Sequence, residues 1–181
     1  MVDSLEHTVR GIAFIDLEAA GLGSNGYPTE LGWAVVHDDG SIISDSSLIR
    51  PTARWTTYAS AWSAASERLT GISREMLDRG GLRPIDVMRQ FLAAVEGCEL
   101  FSDEPDFDRH WLGMLAKAAL VDLAGREIGD AKTLIGETGA SEGFKGDLGG
   151  PRHRAGPDAR RLALLYLRAR RGSRLQALSG S

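Results

Sequence analysis

Acidic side chains gather in three places where they could act together. Asp16 and Glu18 stand two apart in "FIDLEAAGL", at the end of an apolar run. Asp103, Glu104, Asp106 and Asp108 crowd "SDEPDFD", and Asp158 follows His153 by five residues in "HRAGPDA". In a strand, residues i and i+2 project from one face, so Asp16 and Glu18 stand side by side. Two ionised carboxylates that close raise each other's pKa unless a cation offsets the repulsion. Oxygen-rich clusters of this kind suit Mg²⁺ or Mn²⁺. A D-x-E pattern alone is common and reads first as an exposed edge strand with solvated acids. The flank "IAFI" marks a central strand instead, where unpaired acids are costly.

Each group has a competing reading. Gly21, Gly23 and Gly26 fit the letters G-x-G-x-x-G, a pattern that cradles a dinucleotide when the glycines lead into a helix N-terminus. Here Tyr27, Pro28 and the β-rich "LGWAVV" follow, so no helix dipole is available, and the nearby acids would repel a bare phosphate. Acids at a helix start are also N-caps, a part open to Ser102 or Asp106. That accounts for one or two of the four acids in the turn. His153 and Asp158 could likewise be a helix-capping pair.

These side chains need elements to hold them. "GIAFIDL" (Gly11–Leu17) reads as a buried strand, and "LGWAVVHDDGSIISDSSLI" as two strands joined by a turn at Asp38-Asp39-Gly40. The first three strands then form an antiparallel meander. "ASAWSAASERLTG" (Ala59–Gly71) has helical character with Gly71 as C-cap, and "SREMLDRG" is a short helix capped at Ser73. Arg83–Glu96 is amphipathic, with Ile85, Met88, Phe91, Leu92 and Val95 on one face, and Gly97 ends it. "CELFS" (Cys98–Ser102) reads as a strand and Phe107 to about Leu123 as a helix. Gly125–Gly150 is Gly-rich, with a helix expected around "DAKTLIG". A last helix starts at Pro157, burying Leu162, Leu165, Tyr166 and Ala169. The order implies α/β: a mixed central sheet, an antiparallel meander plus parallel strands, flanked by helices.

Composition sets the outer bounds. At 181 residues the chain suits a single domain, expected over 11–171, with 1–10 a lead-in and 172–181 a tail. Hydrophobic residues make up 43% and charged ones 25%, as in globular rather than disordered chains. Cys98 is the one cysteine, which excludes an intrachain disulfide and a multi-cysteine zinc site. The start "MVDSLEHTVR" does not read as a signal peptide, and no apolar run approaches the roughly 18 residues of a membrane span. A cytoplasmic location without membrane partners is the expectation. From Pro151 onward eight arginines face one aspartate, a local +7 within a net charge of −4. A basic end beside an acidic body is compatible with a polyanion near a carboxylate site; alone, it reads first as a solvated helix face plus a frayed basic tail. Among the aromatic residues, Trp33, Trp55, Trp62 and Trp111 read as core or interface, with Trp62 the candidate base contact.

Taken in order, these segments resemble the DEDDh 3′-to-5′ exonucleases, metal-dependent enzymes with a ribonuclease H-like fold. "FIDLEAAGL" resembles their first motif, D-x-E followed by Gly-Leu, and "PTELGWAVV" their second strand. "LTGISREML" is similar to the family's H-G-I-x-x-x-M-L stretch, "FSDEPDFDRHWL" to its second motif and "HRAGPDARRLALLYL" to its third. The match runs over most of 11–171. There are departures: the family's H-N before F-D is replaced around Ser102–Glu104, Ala19-Ala20 replaces a polar pair, and Gly156-Pro157 precedes the last acid.

The resemblance implies Asp16, Glu18, Asp108 and Asp158 as metal ligands and His153 as general base. It implies two divalent ions, Mg²⁺ or Mn²⁺, roughly 3.5–4 Å apart. An imidazole with an unperturbed pKa of about 6.5 suits the base. Leu22, with backbone from Ala20 and Gly21, would pack on the terminal base. Arg152 and Arg154 would steer the nucleic-acid backbone. The implied activity is hydrolysis from the 3′ end of single-stranded DNA, RNA or short oligonucleotides, releasing nucleoside 5′-monophosphates. The resemblance also admits a homodimer. Two rivals are a non-catalytic nucleic-acid-binding module of the same fold and a nucleotide-binding domain using the glycine loop.

Overall fold

The computed structural model describes residues 11–123, 125–137 and 153–179, with side chains through 172. Five strands form one sheet in the order β3-β2-β1-β4-β5: β1 (Gly11–Ala19), β2 (Pro28–Val36), β3 (Ile42–Leu48), β4 (Cys98–Ser102) and β5 (Ile128–Asp130). β1–β2 and β2–β3 pair antiparallel, while β1–β4 and β4–β5 pair parallel. The expected mixed sheet is therefore present. The meander turns where "HDDG" predicts: His37 and Ser41 pair across it, Asp39 accepts from the Ser41 N–H, and Gly40 takes φ +83°. That φ is accessible to glycine at little cost.

β1 is buried on both faces, because its alternation serves two cores. Ala13, Ile15, Leu17 and Ala19 pack toward α3 (Pro84–Ala94) and α4 (Pro105–Ala119), joining Met88, Phe91, Leu112 and Leu115. Phe14 points the other way, against Tyr166 of α6 (Ala155–Ser179), with ring centroids 5.6 Å apart. The same pleat sends Asp16 and Glu18 to the α6 side. Gly32 on β2 makes this close approach possible: a Cβ there would sit 2.1 Å from the Ala155 backbone carbon. Leu162, Tyr166 and Ala169 are buried along α6 as expected, with Leu165 packed beside them.

Several local expectations shift. The 59–71 segment is a 3-10 turn (Ala59–Ala61) and then α1 (Ala64–Thr70), because Ser63 caps a later start. Its side chain accepts the Ser66 N–H, and Gly71 closes the helix at φ +70°. Ser73 caps α2 (Arg74–Gly80) as predicted. α4 starts earlier, at Pro105, and α6 earlier, at Ala155, running on to Ser179 through most of the expected tail. α5 (Ala131–Glu137) answers the expectation around "DAKTLIG", while the short β5 was not anticipated. The lead-in 1–10, residues 138–150 and Arg152 lie outside the described residues. Among the described residues, no helix is long and apolar enough to cross a membrane.

A carboxylate cluster as candidate metal centre

Three parts of the chain meet at the end of β1. β1 supplies Asp16 and Glu18, the turn after β4 and the first turn of α4 supply Asp103 and Asp108, and the first turn of α6 supplies Asp158. Carboxylate oxygens of Asp16, Glu18 and Asp158 lie within 4.8 Å of one another, and so do those of Asp16, Asp103 and Asp108. Asp16 belongs to both trios. All four acids expected from the sequence are brought together, and Asp103 joins them.

The acidic turn resolves residue by residue. Asp108 is buried; its Oδ1 accepts the Leu17 backbone N–H at 2.9 Å, and its Oδ2 accepts a very short hydrogen bond from the Ser102 hydroxyl. Ser102 in turn accepts the Glu104 N–H at 3.0 Å. Glu104 pairs with Lys132 at 2.8 Å and Asp106 with Arg109 at 2.7 Å, away from the cluster. Neither Ser102 nor Asp106 caps α4, which corrects that expectation. The N-cap is Glu104, with no side-chain cap bond; its carboxylate is paired with Lys132, and the Ser102 hydroxyl is turned to Asp108.

Confinement raises the pKa values of Asp16, Glu18, Asp103 and Asp108. Burial pushes Asp16 well above the usual carboxylate range, and the charges of Asp108, Glu18, Asp158 and Asp103 add to it. Glu18 is pushed up to about 8, first by burial and then by Asp158, Glu30 and Asp108, with Arg154 opposing. Asp108 and Asp103 are also raised, chiefly by burial. The Ser102 and Leu17 donors partly offset the rise at Asp108. Mutually repelling oxygens without a matching set of cations form a donor set that fits a hard divalent ion.

α6 begins as an instrument for Asp158. The Asp158 Oδ2 reaches back to the Arg154 backbone N–H at 3.2 Å. His153 lies just ahead, with Nδ1 3.7 Å from that oxygen and its backbone N–H donated to the Leu69 carbonyl at 3.2 Å. Arg154, expected to face a nucleic-acid backbone, closes instead on Glu30: Nε to Oε2 at 2.8 Å and Nη2 to Oε1 at 2.7 Å. Glu30 is buried on β2 opposite Glu18, and also accepts the Ala155 N–H and the Ser46 hydroxyl. A lone acid inside "PTELGWAVV" was the available signal, since a buried carboxylate requires a partner.

In the β1–β2 loop, Ala20 is buried with its N–H donated to Tyr27 and its carbonyl accepting from Ser63. Gly21 is buried and Leu22 is 81% exposed. The loop turns without leading into a helix, as its sequence predicts. Gly26 is needed there because a Cβ would lie 2.1 Å from the Gly21 carbonyl oxygen.

Mixed sheet and flanking helices, with carboxylates at the end of the central strand, give this chain a ribonuclease H-like fold, the fold of solved exonuclease domains. The chain is similar to the nuclease domain of 3′hExo, a DEDDh family member, bound to rAMP: TM-score 0.68, 17% identity, covering 88% of this chain and 91% of that one. It is also similar to E. coli Exonuclease I in complex with a dT13 oligonucleotide (TM-score 0.66, 14% identity, 93% of this chain and 43% of that one). This chain thus spans less than half of Exonuclease I. A full-length 3′-exonuclease aligns with TM-score 0.60 and 15% identity, over 88% of this chain and 60% of that one. No family model matches the chain, and no curated protein matches it in sequence.

Proposed function

We propose that the chain is a metal-dependent 3′-to-5′ exonuclease, removing nucleoside 5′-monophosphates from the 3′ end of single-stranded nucleic acid. The observation that carries this reading is the position of Asp16 in two carboxylate trios at once, which suits a pair of adjoining cation sites. Asp16, Glu18 and Asp158 would hold one Mg²⁺ or Mn²⁺, and Asp16 with Asp108 and Asp103 the other. Bound there, such ions activate a water and stabilise the charge on the leaving oxygen of an in-line displacement.

The chain's own groups do the rest. Asp108 is locked by Ser102 and Leu17, so its carboxylate is oriented before any ligand arrives. His153 is half-exposed on the loop before α6, with Nδ1 turned toward Asp158, leaving Nε2 to take a proton from the attacking water. Exposed Leu22 offers an apolar face to the terminal base, beside the Gly21 backbone. Arg154 acts from behind, holding the start of α6 to β2 through Glu30. Arg152 remains a proposed backbone contact.

The test is one panel: end-labelled single-stranded DNA, RNA and dinucleotides, each with Mg²⁺, Mn²⁺ or chelator, for wild type, Asp16→Ala and His153→Ala. Cleavage that needs metal and shortens the labelled strand from its 3′ end supports the reading. Chelator-resistant cleavage, or full activity in Asp16→Ala, would falsify it. Metal-independent strand binding without turnover would favour the non-catalytic module.

A further inference from the structure

We infer that Arg161 is a resident counter-charge of the carboxylate cluster: its guanidinium stands against Asp158 and weakens the cluster's hold on a divalent ion. The inference rests on the metal-dependent reading and goes to how strongly that site takes up its cation.

α6 places the two side chains together. Arg161 follows Asp158 at i+3, so both project from one side of the helix. Arg161 Nη2 lies 3.5 Å from Asp158 Oδ1, and each side chain is 21% exposed. Arg160, its neighbour in sequence, is exposed to solvent instead. Arg161 also acts on Asp103: burial raises the pKa of that carboxyl, and the charges of Lys132 and Arg161 oppose the rise.

Both Asp158 oxygens are already engaged. Oδ2 accepts the Arg154 backbone N–H at 3.2 Å, with His153 Nδ1 3.7 Å away, and Oδ1 faces Arg161. A cation held by Asp16, Glu18 and Asp158 must therefore share an Asp158 oxygen with a donor or a positive group. The Arg161 contact is longer than the about 2.7–3.2 Å of an N–H···O hydrogen bond, so charge rather than a directed bond joins this pair. A pair of that kind yields Oδ1 to a better cation without breaking a strong bond.

Arg161 also acts on both carboxylate trios. Asp158 belongs with Asp16 and Glu18, and Asp103 with Asp16 and Asp108. Asp16 joins the trios from β1, and Arg161 acts on both from α6. The other two cations beside the cluster have partners of their own: Arg154 closes on Glu30, and Lys132 on Glu104. A guanidinium keeps its charge where a crowded lysine can lose it. That charge offsets repulsion among the acids in the metal-free protein, and by the same Coulomb law it opposes an incoming ion. Its two effects therefore have opposite signs.

The experiment is Mn²⁺ titration calorimetry on wild type, Arg161→Gln and Arg161→Lys, beside thermal melting in chelator and in excess Mn²⁺. Arg161→Gln should bind Mn²⁺ roughly five- to a hundred-fold tighter than wild type, the weight of one unit charge at this range. In chelator it should melt below wild type, and excess Mn²⁺ should close or reverse that gap. Arg161→Lys keeps a cation on the same helix side and should stay near wild type in affinity. Unchanged or weaker Mn²⁺ binding by Arg161→Gln, or an equal melting deficit with and without metal, means that the arginine only packs the helix and overturns the inference. Equal tightening in Arg161→Lys assigns the effect to shape rather than charge and overturns it as well. If wild type takes up no Mn²⁺, the cation site itself is wrong and the inference falls with it, a failure visible before any variant is compared.

Discussion

Arg154 and Glu30, 124 residues apart in the chain, close into a two-pronged ion pair exactly where α6 first touches the sheet. Glu30 faces Glu18 across the β1–β2 ladder, so the same pair fixes the start of α6 and sets a positive charge beside the carboxylate cluster. Glu30→Ala leaves Arg154, the Ala155 N–H and the Ser46 hydroxyl without their acceptor. Breaking a buried pair from one side costs about 3–5 kcal/mol, and the low end applies because Arg154 is 32% exposed. The expected fall in melting temperature is on the order of 10 °C. A variant melting with wild type would show that the pair is not what anchors the helix.

Gly32→Ala tests the same junction from the other side. Its Cβ would meet the Ala155 and Gly156 backbone at 2.1–2.3 Å, and backbone cannot rotate aside as a side chain can. α6 must lift, carrying Asp158 away from Asp16. Mn²⁺ affinity, measured by titration, should weaken by at least about tenfold even in molecules that remain folded. Unaltered affinity would disconnect the helix start from the proposed cation site.

Ser102→Ala probes the grip on Asp108. The hydroxyl holds Asp108 Oδ2 and favours its ionised form. Without it the Asp108 pKa rises further and the carboxylate is free to turn. Loss of such an orienting partner typically weakens metal binding about 10- to 100-fold, which calorimetric Mn²⁺ titration would read. Ser102→Thr, which keeps the hydroxyl, should recover much of the loss.

The metal-free protein should become less stable as pH rises. Asp16, Glu18, Asp103 and Asp108 all have raised folded-state pKa values, so between about pH 4 and 8 the folded chain binds more protons than the unfolded chain. Stability is thus fully present below the ordinary carboxylate pKa and is lost as pH climbs through Glu18's value of about 8. Melting in chelator should show this decline, and Mg²⁺ or Mn²⁺ should flatten it. Asp16→Asn removes the most crowded charge, and in chelator at pH 8 it should melt higher than wild type by several degrees, on the order of 5 °C. A flat profile in chelator would mean the acids are not held against one another.

Cleavage should separate the acids from the base. Asp158→Ala removes a proposed ligand and should abolish turnover with the fold intact. His153→Ala should keep strand binding and lose turnover by roughly 10²–10⁴-fold, the usual weight of general-base catalysis. Single-turnover assays beside anisotropy would distinguish these, and wild-type turnover in His153→Ala would remove the histidine from the mechanism.

Much of this molecule follows from local order along the chain. The two-sided apolar pattern of β1 makes it central, its pleat sends Asp16 and Glu18 to one face, and "HDDG", Ser73 and Gly71 place turns and caps within a few residues. The D-x-E, F-D and H-x-A-x-x-D motifs locate four acids because each sits at an element's end. What no local pattern contains is distance through space. Only packing of α6 on Gly32, and of α4 against the centre of the sheet, decided that Asp103 joins the cluster while Asp106 does not. Packing likewise turned Arg154 from the open surface to Glu30 and Ser102 from a helix cap to Asp108. Periodicity is a property of neighbouring residues, whereas a buried charge takes whichever partner the folded backbone brings within reach.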